Sequence, residues 1–579
     1  VRAAAAGRTR LYGPNSPGVS NLRLPLGLTP SAAFVNTRHP GPIGLVSQGG
    51  GLGRCFIESM ARQVGTSIWL SAGNEVDLEI SDFIAHLARD RGITAIAAII
   101  EGVRNGSRFL RALKAATDAN KPVVVLKMGR SSGGVQAARS HTAAMAGAAA
   151  VNSAIFEQFG ALEVDDLDEL VETTALLARR KAPVSGGVFV FSFSGGTNGL
   201  CADKIEEHGL NLTGLQEDTL NALRKLLPRY AVVGNPIDLS AEILSRPDLV
   251  SECLGLVLGD PATDTLLAPI PMEYGDVTAT LARGLVEAQA SSHKLVVPVW
   301  MTDMPGEGLR ILESGGLLPF RSVGKATKAL SRLARFDARQ RPNDQGGTGR
   351  PTRSAVGAVR FEGPLDEARA KEFLRQCGIA SPDSRVARSR EEAVAIAASF
   401  DGAAALKVLS SAIVHKTDIG GVILGARTQG EVEAAFDKLS AITTGGKKVD
   451  AILVEQMAPP NGLEVIVGMH RDPTFGAVLT FGLGGIFVEL LGDTVHRLLP
   501  IDRAQALQMV KEIRGARLLD GVRGGPGGDI DALCDLLVRL SDLVTECGDS
   551  IREIELNPVW VGAPGEGAMA LDALVVFQD

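Results

Sequence analysis

The chain has 579 residues, of which 45% are hydrophobic and 22% charged, with a net charge of −7 and a pI near 5.8. That length exceeds what one hydrophobic core serves, so about three or four domains are expected. Basic residues dispersed through an acidic chain argue against nucleic acid or an anionic membrane as partner, no apolar run is long enough to span a bilayer, and six cysteines far apart with no CxxC pair fit free thiols in a reducing cytoplasm.

Residues 1 to about 40 hold little periodicity, and Gly13-Pro14-Asn15 reads as a turn leaving a preceding element. From Gly44, GLVSQGGGLG is an apolar strand, a glycine turn and a helix running through Cys55 to Gln63. This layout offers unpaired helix-start amides to an anion and puts Ser47, Gly49 and Gly50 in the cradle. Strand candidates follow at Ser67 to Ser71, Ala95 to Glu101 and Pro122 to Lys127, with helices between them. The alternation predicts a parallel, doubly wound sheet whose ligands sit outside the carboxyl ends of the strands. Glu101 ends one strand and Lys127 another. The loop beyond Lys127 carries Ser140-His141-Thr142 among small residues and cations, a setting in which an imidazole meets an anion and the Glu101 carboxylate is placed to hold its tautomer.

After Pro183 the design repeats, since VFVFSFSGGTNGL has the same strand, Ser-Gly-Gly and helix layout. An internal duplication is the economical explanation, and it supplies a second helix start at Ser194, Gly195 and Gly196. This second sheet takes in Asn235-Pro236-Ile237-Asp238, a strand around Leu295 to Trp300, and Gly315 to Phe320. Residues 337–354, DARQRPNDQGGTGRPTRS, are polar and rich in Gly, Pro and Arg, and read as a flexible linker.

Beyond it LDEARAKEFLRQCGI is an amphipathic helix, followed by a short strand with Lys407 and by SSAIVHKTDIGG, where His415, Lys416, Thr417 and Asp418 precede a glycine pair. Glu455 lies in a strand that ends in a hydrogen-bonding turn, Glu464 in GLEVIVGMHRDPTFG and Glu489 in a glycine loop. IREIELNPVWV then alternates Glu553, Glu555 and Asn557 on one strand face, with Asp572 on a later strand. Oxygen donors clustered in this way, with no cysteine or close histidine pair, suit magnesium held together with nucleotide phosphates.

In their order along the chain these motifs resemble the ADP-forming (NDP-forming) acyl-CoA synthetase family, relatives of succinyl-CoA synthetase, from Gly13 to the end. The resemblance implies an α/β fold with two tandem flavodoxin-like, succinyl-CoA ligase-like domains and a C-terminal ATP-grasp domain. The expected limits are 1–40 for a remnant of a CoA-binding domain, 41–182 and 183–336 for the two ligase-like domains, 337–354 for the linker and 355–579 for the ATP-grasp domain. By residue, the resemblance makes His141 the phosphoryl carrier supported by Glu101, and His415 a second carrier beside the nucleotide. Lys407 corresponds to the lysine on the ATP phosphates, Glu455 to the adenine-side turn, Asn557 and Asp572 to magnesium ligands, and Glu464 and Glu489 to acidic positions of the same domain.

The implied reaction forms an acyl-CoA from a carboxylic acid, CoA and ATP, with ADP and phosphate released through phosphohistidine and acyl-phosphate intermediates. The implied setting is cytoplasmic, as a homo-oligomer such as a dimer or with a partner chain. Two departures stand out: the family's SHTG reads Ser140-His141-Thr142-Ala143, and the CoA-binding domain expected ahead of Gly13 is not in this sequence. Other readings stay open: an aromatic, feruloyl-type acid as substrate, a coupled lyase step, or a nucleotide-binding subunit lacking full activity.

Overall fold

A computed structural model describes residues 9–24, 26–29, 39–131, 133, 149–239, 246, 248–340, 365–409, 416, 419–444, 447–449, 451–484, 492–521 and 527–578. The chain divides into two compact units, Val1–Ala149 with Phe156–Asn343 and Asp344–Asp579 with Ala150–Ile155. Among the described residues no helix is long and apolar enough to cross a membrane.

The first unit holds two sheets. Strands β1 (Val19–Asn21), β2 (Leu26–Leu28), β3 (Ile43–Ser47), β4 (Thr66–Ser71), β5 (Ala95–Ile100), β6 (Val123–Lys127) and β7 (Ala161–Val164) form the first, in the order β2-β1-β4-β3-β5-β6-β7. From β4 to β7 every pair is parallel. The strands are apolar runs because both faces are covered: β3, β5 and β6 are buried at every position. The chain leaves β3 for β4 on one side and returns to β5 on the other. The topological switch point therefore lies between β3 and β5, where open α/β sheets bind ligands. Beyond the N-terminal turn, β1 pairs antiparallel with β4 and β2 with β1, two short strands that the sequence did not reveal and that extend this sheet.

Strands β8 (Gly187–Ser192), β9 (Asn211–Leu212), β10 (Ile237–Asp238), β11 (Thr265–Ile270) and β12 (Leu295–Trp300) form the second sheet, ordered β10-β8-β11-β12 with β9 also on β8, all parallel. Its switch point falls between β8 and β11, so β8 holds the place that β3 holds in the first sheet. Gly315 to Phe320 contributes only a bridge between Phe320 and Val299.

The two sheets share one core, in which Trp69 and Phe56 of the first are continuous with Val190 and Val297 of the second through helices α2 (Leu167–Ala178) and α4 (Val323–Gln340); helix α1 (Gly51–Glu58) covers the first sheet after β3, and α3 (Gly195–Glu207) follows β8. Helix α4 runs into the segment read as linker. Its Asp337 is buried, ion-paired with Arg180 and accepting from the Val184 N–H at 2.8 Å, so residues 337–340 are held in the helix.

The second unit is antiparallel. Strands β13 (Ser384–Ala387), β14 (Ala404–Leu409), β15 (Val422–Ala426) and, after a small β16 (Thr443–Thr444) and β17 (Lys447–Lys448) hairpin, β18 (Ala451–Gln456) form a sheet ordered β13-β18-β14-β15. Strands β19 (Leu463–Asp472), β20 (Gly476–Leu483), β21 (Thr494–Leu498), β22 (Ile551–Val561), β23 (Ala568–Ala570) and β24 (Ala573–Phe577) form the larger sheet, ordered β21-β20-β19-β22-β23 with β24 on β22. One face of the larger sheet packs on helices α5 (Glu367–Gln376) and α6 (Ile530–Cys547), burying Val465, Val467, Ile554 and Leu556, and this leaves Glu553, Glu555 and Asn557 on the other face as their alternation requires.

Candidate active site

The first cluster is built at the switch point of the first sheet. Ser47 is buried, and its hydroxyl accepts from the Trp69 indole N–H at 2.9 Å, so the side chain anchors the strand and leaves the loop backbone to face outward. Gly50 caps α1 without any side-chain bond to the helix-start amides. The next residue after Ser47 is the organiser. Gln48 accepts from the Glu101 and Gly102 N–H groups at 2.5 and 3.0 Å, and donates to Gly102 O at 2.6 Å and to Glu75 Oε2 at 3.0 Å. Buried Lys127 donates to Glu101 O at 2.8 Å. The loop of Ser47, Gly49 and Gly50, the end of β5 at Glu101 and the end of β6 at Lys127 are thus brought to one edge, as the alternation of strands and helices requires.

Glu75, which the sequence reading missed, sits in the left-handed region at φ 52° with its carboxylate bound by the Ile80 N–H at 2.8 Å. Burial pushes it up from 4.5 to about 7, against the hydrogen bonds from Ile80 and Gln48 and the charge of Arg104. Burial lowers Lys127, against the pull of Glu163 and Glu101.

At β8 the second cradle repeats the design. Ser194 caps α3, its N–H donates to Ser192 Oγ at 3.1 Å and its hydroxyl accepts from Thr197 at 3.0 Å, while Gly195 and Gly196 are exposed at the helix start. Asn235 acts as a splice: its Oδ1 accepts from the Val190 N–H at 2.9 Å and its amide donates to Val188 O at 2.7 Å and Thr213 O at 2.8 Å. Asn235 therefore secures β8 directly below Ser194.

The third cluster lies in the second unit, where the two antiparallel sheets meet. Lys407 on β14 donates to Glu367 Oε1 at 2.9 Å and Leu571 O at 2.5 Å, and its ammonium lies 3.2 Å from Glu455 Oε1. Lys371 donates to Leu571 O at 2.7 Å, lies 2.8 Å from Glu367 Oε1 and pairs with Glu455 Oε2. Lys416 pairs with Glu367 Oε2 and lies 3.2 and 3.4 Å from the two oxygens of Asp572. Three ammonium groups thus interleave with three carboxylates. Burial alone would raise Glu367, but Lys407, Lys371 and Lys416 outweigh it and hold the carboxylate well below its usual range. Likewise burial would lower Lys407, and Glu367, Glu455 and Asp572 overturn that and raise it; Glu367 and Asp572 do the same for Lys416.

Asn557 on β22 is brought near Asp572, because Leu556 pairs with Ala573 and the Leu571 N–H donates to Pro558 O at 2.9 Å; Asp572 lies in the bend between β23 and β24 and not on a strand as expected from the sequence. The Asn557 amide donates to Glu555 Oε1 at 3.3 Å. Glu455 lies within β18, one residue before its end, in the strand expected from the sequence, and its carboxylate is turned to the lysines. Glu464 is exposed on β19 and, among the described residues, takes no part in the ion pairs of the lysine nest. His141, His415 and Glu489 lie outside the described residues. Glu367 and Lys371 were missed as site residues, although a signal for them exists: with Ala370 and Leu374 they share one face of α5 at helical spacing, so two charges fall on its apolar stripe.

The parallel unit thus gathers its candidate residues at a switch-point edge, and the antiparallel unit carries the lysine nest. Residues 40–177 match the succinyl-CoA ligase like flavodoxin domain, and residues 360–577 match the ATP-grasp domain. The chain is 33% identical over 569 residues to the acetate–CoA ligase (ADP-forming) I of Archaeoglobus fulgidus, covering 96% of this chain and 80% of the relative. It is 32% identical over 594 residues to a trans-feruloyl-CoA synthase of an unknown prokaryotic organism, covering 98% and 81%. The beta subunit of acetate–CoA ligase (ADP-forming) I from Pyrococcus furiosus matches at 40% over 218 residues, 37% of this chain and 92% of the subunit. Among solved structures, acetyl-coenzyme A synthetase 1 of Ca. Korarchaeum cryptofilum in complex with phosphate and ADP aligns with a TM-score of 0.53 at 25% identity, over 59% of this chain and 73% of that one. The chain belongs to the ADP-forming acyl-CoA ligases.

Proposed function

We propose that this chain joins a monocarboxylic acid to CoA and cleaves ATP to ADP and phosphate. The observation that carries the reading is the interleaved nest of Lys371, Lys407 and Lys416 with Glu367, Glu455 and Asp572, a charge-balanced set in which carboxylates hold the ammonium groups in place within an ATP-grasp fold. Lysines so held meet a polyphosphate with little reorganisation.

In the proposed sequence Lys407 and Lys416 neutralise the phosphate chain while a ring nitrogen of His415 attacks the terminal phosphorus; the bond to the bridging oxygen breaks and ADP leaves. His141 then takes the phosphoryl group and Glu101 steadies its ring, with the helix starts after Ser47-Gln48-Gly49-Gly50 and after Ser194-Gly195-Gly196 supplying N–H groups for the phosphoryl oxygens. A substrate carboxylate oxygen attacks that phosphorus to give the acyl phosphate, and CoA thiolate displaces phosphate to give the thioester. Asn557 and Asp572 are neighbouring oxygen donors at the edge of the lysine nest, and one of them already faces an ammonium cation; the set fits Mg2+. When bound there the ion would screen the charge of the phosphates. Glu455 contributes by holding Lys407 and Lys371.

The acids for which the relatives are named, acetate and trans-ferulate, are monocarboxylic and support that class here. Incubation with ATP, CoA and each of acetate, 4-hydroxybutyrate and ferulate, followed by 31P NMR, tests the reading. Acid- and CoA-dependent ADP and phosphate are expected; AMP with pyrophosphate would contradict it.

A further inference from the structure

Within the lysine nest, Lys416 differs from its neighbours. Its ammonium is shared between a carboxylate with 1% of its side chain exposed, Glu367, and one with 31% exposed, Asp572. It lies within 3.4 Å of both Asp572 oxygens, straddling that carboxylate as a bound cation would. Lys371 and Lys407, by contrast, are tied to the buried Glu367, Glu455 and the Leu571 carbonyl. An ammonium and a divalent cation cannot both occupy one carboxylate edge, because the two positive charges would then be in contact.

We propose that Lys416 is an exchangeable counter-cation: it occupies Asp572 in the nucleotide-free protein and passes to the nucleotide's terminal phosphate when a divalent ion and nucleotide enter together, pivoting on Glu367. The inference rests on the reading of Asp572 as a metal ligand. Its consequence is that the divalent ion gains its site only with the nucleotide, and that the residue following His415 in sequence is drawn to the phosphate chain in the same event.

Titration of the full chain with Mn2+, read by electron paramagnetic resonance with and without ADP, tests it. Lys416→Met should bind Mn2+ about tenfold or more tightly than wild type without ADP, and the tightening that ADP causes should shrink by a similar factor. Lys416→Gln is the second neutral replacement should the first not fold. Wild-type Mn2+ affinity in the folded neutral variant without ADP overturns the exchange. Asp572→Asn separates the two ideas. If it binds Mn2+ with ADP as wild type does, the metal-ligand reading fails and the exchange with it; if it weakens binding while the Lys416 variant gains nothing, the exchange alone fails.

Discussion

Lys371 has no exposed side-chain surface and touches Glu367, Glu455 and the Leu571 carbonyl. Replacement by Met leaves two buried carboxylates short of a partner, and breaking such a network costs about 3–5 kcal/mol. Denaturant unfolding of Lys371→Met should show a loss of that order, and a change below about 1 kcal/mol would contradict it. Glu75 carries a second expectation. Its folded value near 7 lies above the ordinary 4.5, so between these pH values the folded state holds a proton that the unfolded state has released. Its contribution is therefore full below about pH 4.5 and is lost as pH rises through 7, by up to about 3 kcal/mol. Glu75→Gln should remove this downward slope from a plot of stability against pH, whatever its effect at any one pH. A lysine inside the apolar strand AALKVL is visible in sequence because only a partnered charge sits there. Gln48 and Glu75 are not, since a glutamine after a strand is ordinary until the fold brings the Glu101 amide to it.

At the level of elements, the glycine run after β3 sets how closely α1 approaches its sheet. A Cβ on Gly53 would come within 2.6 Å of the Trp69 ring and 2.9 Å of Ser47 Oγ, so Gly53→Ala must push the helix away from the cradle. Overpacking of this kind costs about 1–3 kcal/mol. We expect slower thioester formation with ADP affinity unchanged, read by acyl-CoA assay and calorimetry; equal losses in both would contradict the assignment of this loop to the phosphoryl-acceptor half. Strand, glycine turn and helix were readable in GLVSQGGGLG and again in VFVFSFSGGTNGL, because apolar runs buried on both faces are distinctive. The direction of Ser47's hydroxyl was not, because it depends on Trp69 of the next strand. Gly315 to Phe320 kept only one bridge, since Gly316 turns the chain at φ 77° and shortens the extended run.

Across the whole molecule, each unit has its own core, with Trp69, Val190 and Phe336 in one and Phe373, Phe481 and Val559 in the other. A chain of residues 360–579 should therefore unfold as one cooperative transition in calorimetry, at a temperature that ADP raises. The ordered series of motifs made the fold legible because each marks a turn or strand end that its architecture demands. The antiparallel β1 and β2 were hidden, since three-residue strands leave no periodicity, and α4 outran its expected end because the charges of Asp337 and Arg180 resemble a linker's until they pair.

The central claim is that phosphorus passes from ATP to one imidazole and then to another. Incubation of the full chain with terminally labelled ATP, followed by acid and base treatment, tests it most directly. Acid-labile, base-stable label is expected on the wild type, its absence in His415→Ala, and label without thioester product in His141→Ala. Label on the double variant equal to that on wild type would contradict the claim.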